Sequence, residues 1–236
     1  MPSMVAVLQK PYCWTHMATT VEPTRAGPAP VPAATKPWYQ ERQRYLMAGI
    51  VILAVLALAV WFVMASGKRK EQFASRSLNQ ARAAAEAGNL PLASSELQKL
   101  IAAYQGTDAA SEAVITLNQV RMINGQSELA VVGLREFLAS KPKPQYVTPA
   151  TGLLAAALEN SKHWIEAANA YTQASNAAEV DYLKAKYLVD AGRAFREGGR
   201  PEDAAKAYRA VLQKYLKAPS VTEAEVRLAE LTKGKM

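Results

Sequence analysis

The sequence predicts an all-α protein: a single N-terminal transmembrane helix, then an α-solenoid of about four helical hairpins closed by a C-terminal capping helix. Three observations lead there. An uncharged apolar run of 23 residues, Tyr45–Gly67, follows a proline-rich start. Beyond it, small and large apolar residues recur every 37 residues. No segment shows the sustained apolar–polar alternation of a half-buried strand.

Residues 1–44 form the first segment. Seven of the 13 prolines lie in residues 1–37, and Ala18–Thr35 has no apolar period. Such a stretch cannot bury enough apolar surface to offset chain entropy, so an extended, disordered tail is expected. Met17, just before it, is a candidate start, which would leave Cys13 and His16 outside the natural chain.

Residues 45–67 form the second. Their centre reads GIVILAVLALAVWFVM. At about 1.5 Å per residue the run is roughly 34 Å long as a helix, enough to cross a hydrocarbon core. Lipid offers the backbone no hydrogen-bond partner, which requires a helix. The run is too long for a signal-peptide core, and 44 residues precede it. Lys36, Arg42 and Arg44 flank one end; Lys68, Arg69, Lys70 and Arg76 flank the other. Flanking charge alone slightly favours a cytoplasmic C-terminal side. Gly49, Ala54 and Ala57 are small enough to let copies pack, so a homo-oligomeric scaffold is a second reading.

Residues 68–236 form the third. Ala93, Ala130, Ala167 and Ala204 are spaced 37 apart. Four residues after each come Leu97, Leu134, Tyr171 and Tyr208; three further on, Leu100, Phe137, Ala174 and Val211. Five before each come Gly88, Gly125, Lys162 and Gly199. A fixed period of this size signals a helical repeat array. The glycines suit left-handed helix ends. Pro91 and Pro201 suit the first turn of the next helix, where a missing amide costs little. All six prolines after residue 68 are expected at helix ends. Ser220–Lys233, with Leu228 and Leu231 on one face, reads as the cap that covers the last apolar surface.

These columns resemble the tetratricopeptide repeat (TPR). The fourth unit carries the resemblance best, through Gly192, Phe195, Ala204 and Tyr208. The third supplies Leu154, Ala155, Trp164, Ala167, Tyr171 and Ala174; the second, Leu117, Gly125, Ala130, Leu134 and Pro142; the first, Ala81, Gly88, Ala93 and Leu97. The resemblance implies a concave groove lined by first helices that holds a protein or peptide. Carried over residue by residue, its lining is Leu78 and Arg82, then Ile115, Gln119, Met122 and Ile123, then Ala156, Glu159 and Asn160, then Val189, Arg193 and Arg196. That groove would be apolar in the middle and basic toward the C-terminal end. Several of these residues are equally compatible with packed core.

Function classes narrow from composition. One cysteine excludes a disulfide framework and a cysteine-based zinc site. Two histidines far apart, His16 and His163, leave little for metal binding or His-centred catalysis. There is no phosphate loop, dinucleotide turn or nucleophile elbow. No catalytic, cofactor-binding or metal-ligating residue is expected, and the chain reads as a non-enzyme. The net charge is +8, and Lys184–Lys217 holds nine Lys/Arg against four Asp/Glu. Without interleaved aromatics this does not point to nucleic acid; it reads as solvated helix faces.

Tail, single membrane helix and repeats together resemble the ancillary SecYEG translocon subunit family of bacterial envelopes, and the repeat domain of the cell division coordinator. The first resemblance implies a single-pass inner-membrane protein with a cytoplasmic N-terminus and periplasmic repeats. Its implied partners are the translocon and periplasmic chaperones; membrane lipid is the partner expected of the apolar run 45–67 itself. It opposes the orientation read from flanking charge, although long domains cross despite such charge.

Overall fold

The computed structural model describes Gly27 and residues 39–233, and within these it contains helices and no strand. The chain divides into two units, Met1–Ala54 and Val55–Met236. The tail stretch Ala18–Thr35, with Cys13, His16 and Met17, lies outside the described residues.

The first described helix, α1, is Tyr39–Glu86. It begins two residues after Pro37, the last proline of the tail, and so takes in residues 39–44. It is long and apolar enough to cross a membrane. Its apolar side chains lie open: Ile50, Leu56 and Phe62 are 61%, 57% and 69% exposed. Nothing interrupts it at Lys68, so apolar run and first repeat helix are one element.

Eight helices follow: α2 (Leu90–Ala103), α3 (Asp108–Ile123), α4 (Ser127–Ala139), α5 (Pro144–Asn160), α6 (Trp164–Ala177), α7 (Asp181–Glu197), α8 (Pro201–Lys214) and α9 (Val221–Thr232). Consecutive helices from α2 onward pack as neighbours, and α5 also touches α3. The core is continuous in kind along the array. One cluster joins Ala74, Leu78 and Ala81 of α1 to Ala93 and Leu97 of α2 and Leu117 of α3. A second spans α4 to α7 around Leu134, Ala155 and Tyr171. The third joins α7, α8 and α9 around Tyr208, Val211 and Leu228, so α9 does close the last apolar face.

The repeat register is visible atom by atom. Ala93, Ala130, Ala167 and Ala204 are all 0% exposed. An alanine there lets two helix backbones approach, and the large residue one turn on fills the gap beyond. Gly88, Gly125 and Gly199 have φ of 79°, 74° and 73°, and Lys162, the non-glycine of that column, has φ 63°. In all four, the next amide reaches back five residues, as Asn89 N–H to Ala84, Gln126 to Arg121, His163 to Leu158 and Arg200 to Phe195. This left-handed closure satisfies helix-end carbonyls that would otherwise lack partners.

One proline departs from expectation. Pro149 lies inside α5, not at an end. Its sixth position in the helix removes only the bond to the Gln145 carbonyl, and the residue is exposed, so water can serve that oxygen.

Candidate functional site

The expected groove positions sit on the repeat part of α1 and on α3, α5 and α7. The structure sorts them into three groups. Leu78 and Val189 are 3% and 2% exposed and belong to the core, which corrects their assignment to a groove lining. Leu78 shares a helix face with Ala74 and Ala81, and Val189 packs with Ala185 beneath α8. A small rotation about the helix axis separates groove from core, and repeat spacing does not resolve it.

The second group is apolar or neutral and accessible. Ile115, Met122 and Ala156 are half-buried against the central cluster. Gln119 and Asn160 are exposed, and Ile123 is 72% exposed at the end of α3. Ile115, Gln119 and Met122 recur at helical spacing and so share one face of α3.

The third group is charged, and every member is paired. Arg193 of α7 grips Glu159 of α5 with two parallel bonds, Nε to Oε1 at 2.9 Å and Nη2 to Oε2 at 3.1 Å. Its Nη1 donates to Asp190 at 2.9 Å. Asp190 also receives Lys186 Nζ at 2.8 Å. The Tyr171 hydroxyl of α6 donates to Glu159 at 2.8 Å. Burial would raise the Glu159 carboxyl, but the bonds from Arg193 and Tyr171 outweigh it and hold the group below its ordinary value. The same contact raises Arg193. Burial first, then the Glu159 hydrogen bond, push the Tyr171 phenol far up. This is a carboxylate held ionised by a forked guanidinium, which fixes α5, α6 and α7 in one arrangement.

Elsewhere Arg82 pairs with Glu112 at 3.0 Å, and Arg196 with Glu197 and Glu230 at 2.9 and 3.3 Å. The basic end expected of the groove therefore carries its charge already neutralised from within. Sequence reasoning missed Glu112, Tyr171, Lys186 and Asp190 as members of this set. The spacing of Lys186, Asp190 and Arg193 was the available signal, since it puts all three on one helical stripe.

His163 stands at the residue before α6, its side chain making no bond to the helix amides, with Nε2 3.0 Å from Glu128 of α4. Among the described residues, no three His, Cys, Asp or Glu side chains gather in a way that could hold a metal. The site thus offers an apolar, accessible α3–α5 strip beside a self-neutralised polar strip, an arrangement suited to binding.

Residues 36–233 match a family model described as a tetratricopeptide repeat-like domain. Among solved structures, the fold is similar to the crystal structure of a tetratricopeptide repeat protein from Parabacteroides merdae, with a TM-score of 0.56 and 12% identity. That likeness covers 69% of this chain and 61% of the other, so this chain spans under two thirds of that protein's length. At such identity it speaks to fold alone. No curated protein matches the sequence.

Proposed function

The chain belongs to the tetratricopeptide repeat-like domain family, and on that premise we propose that it is a membrane-tethered, non-catalytic adaptor whose repeats hold a protein partner. The observation that carries the tether is α1: an apolar run with open side chains continues without a break into the first repeat helix. In water that surface would be costly; lipid is the solvent it suits. The observation that carries the binding role is the accessible strip of Ile115, Gln119, Met122 and Ile123 on a first helix.

The partner is a polypeptide engaged mainly through apolar contacts, because the groove's own cations are spent on Glu112, Glu159, Asp190 and Glu230. The resemblance to the ancillary translocon subunit family supports placing the repeats on the periplasmic side of a bacterial inner membrane, with the translocon or a periplasmic chaperone as partner.

Photo-reactive residues placed singly at Gln119, Ile123 and Asn160, with Arg209 and Lys214 of α8 as comparison positions, test the binding role in native membranes. Crosslinks to one protein band from the first three sites alone are expected. Equal capture from α8 would refute a first-helix groove.

A further inference from the structure

The face of α1 just beyond the apolar run has a composition that packing does not explain. Arg69, Phe73 and Arg76 recur at steps of four and three residues, which places them on one stripe of the helix. All three are exposed, Phe73 by 56%. The residues α1 gives to the core, Ala74, Leu78 and Ala81, lie on the opposite side. The Arg76 guanidinium sits 5.9 Å from the Phe73 ring centre.

Charge in this stretch is left uncompensated by design of the fold. Glu71 is the one carboxylate between Tyr45 and Ala85. Both its oxygens are taken by the start of α3, accepting from the Asp108 and Ala109 amides at 2.8 Å each. Lys70 is turned to the Gln105 carbonyl at 2.9 Å, and Arg82 to Glu112. Among the described residues no carboxylate pairs with Lys68, Arg69 or Arg76.

Position completes the argument. Along a helix, Arg69 lies about 3 Å and Phe73 about 9 Å past Gly67, the last residue of the uncharged run. The headgroup layer is about 5–7 Å deep beyond the hydrocarbon. Arg76 lies about 14 Å past Gly67. Helical side chains lean toward the N-terminus, here toward the bilayer, so the Arg69, Phe73 and Arg76 side chains reach back to the headgroup layer, where rings partition and anions are concentrated.

We infer that the Arg69–Phe73–Arg76 stripe is a headgroup site for an anionic phospholipid, the guanidiniums taking the phosphate and the Phe73 ring lying beside it. This rests on the membrane-anchor reading of α1. It adds that the chain selects its boundary lipid by charge and that the selecting residues belong to the first repeat helix.

The test uses the full chain reconstituted in phosphatidylcholine vesicles containing trace spin-labelled phosphatidylcholine or spin-labelled phosphatidylglycerol. The motionally restricted fraction of each lipid is measured by electron spin resonance. A preference for phosphatidylglycerol of about threefold or more is expected, given about a fivefold effect per interfacial cation. It should fall severalfold in R69Q/R76Q, to the smaller preference that Lys68 still supports, and persist in R209Q/K214Q, which removes equal charge from α8. Restricted phosphatidylcholine without such a preference, or equal loss in both variants, overturns the headgroup site and leaves the anchor standing. No restriction of either lipid overturns the anchor and the site together.

Discussion

Lys162 occupies the left-handed position that glycine fills in the other three repeats, at φ 63° against 73–79°. Replacing it by glycine is a direct reading of what the repeat closure costs. A side chain in this conformation is disfavoured by about 1–2 kcal/mol, because Cβ crowds the following carbonyl. Glycine recovers that but adds about 0.5–1 kcal/mol of unfolded-chain entropy. The Lys162 side chain is exposed, so its loss adds little. The net expectation for K162G is a gain of about 0.5–1 kcal/mol. For a folded unit of this size that is a rise of about 1–4 °C in Tm. The reciprocal change, G125K, places a Cβ at φ 74° where glycine now sits, and should cost about 1 kcal/mol or more. Thermal unfolding of the full chain in mild detergent, followed by far-ultraviolet circular dichroism, measures both. A K162G variant less stable than the parent, or a neutral G125K, would refute the equivalence of the four closures.

Gly192→Ala should destabilise by about 1–3 kcal/mol, since its Cβ would lie 2.5 Å from a ring carbon of Tyr208, which is 0% exposed and has no room to yield; denaturant titration would show it as a lower midpoint. Glu71→Ala should cost about 1–2 kcal/mol by leaving two amides at the start of α3 without their acceptor, and hydrogen exchange would report it as faster exchange at Asp108 and Ala109. Arg193→Ala should cost about 2–3 kcal/mol, because Glu159 keeps its partly buried charge and loses its forked partner, and a double-mutant cycle with E159Q should give a coupling of about 1 kcal/mol or more. Glu159 is held below its ordinary value of 4.5, so its contribution is present above about pH 4.5 and lost as pH falls through the lower folded value. The stability of E159Q should accordingly decline less steeply than that of the parent on acidification below pH 4.5, and equal slopes would refute the assignment.

Much of the fold could be read from four columns of residues. The alanines at 37-residue spacing are buried without exception, and the closure position keeps its left-handed backbone even where Lys162 replaces glycine. Backbone geometry there is dictated by stacking of the whole unit, so one unfavourable residue is carried by its neighbours. The site was less legible. Which carboxylate meets Arg193 depends on α5 and α7 lying side by side, and Glu159 is 34 residues away. A sequence shows that charges exist on a face, but pairing is a property of the packed array. Repeat register locates a helix face only to within about one residue's turn, so Leu78 and Val189, at groove positions by register, lie in the core. Proline's missing amide favours helix ends, yet the fold tolerates Pro149 inside α5 because only the Gln145 carbonyl goes without its bond.

The central claim is that one helix, α1, is both membrane anchor and first helix of the repeat array. Single cysteines placed at each position from Tyr45 to Ala85, in a Cys13→Ser background, test it through labelling of intact membranes with a water-soluble maleimide. The account predicts protection across 45–67 and labelling from one side of the membrane only beginning at Lys68. Beyond it, accessibility should follow a helical period, open at Arg69, Phe73 and Arg76 and closed at Ala74, Leu78 and Ala81. Uniform labelling across 45–67, or loss of the helical period beyond Lys68, would contradict it.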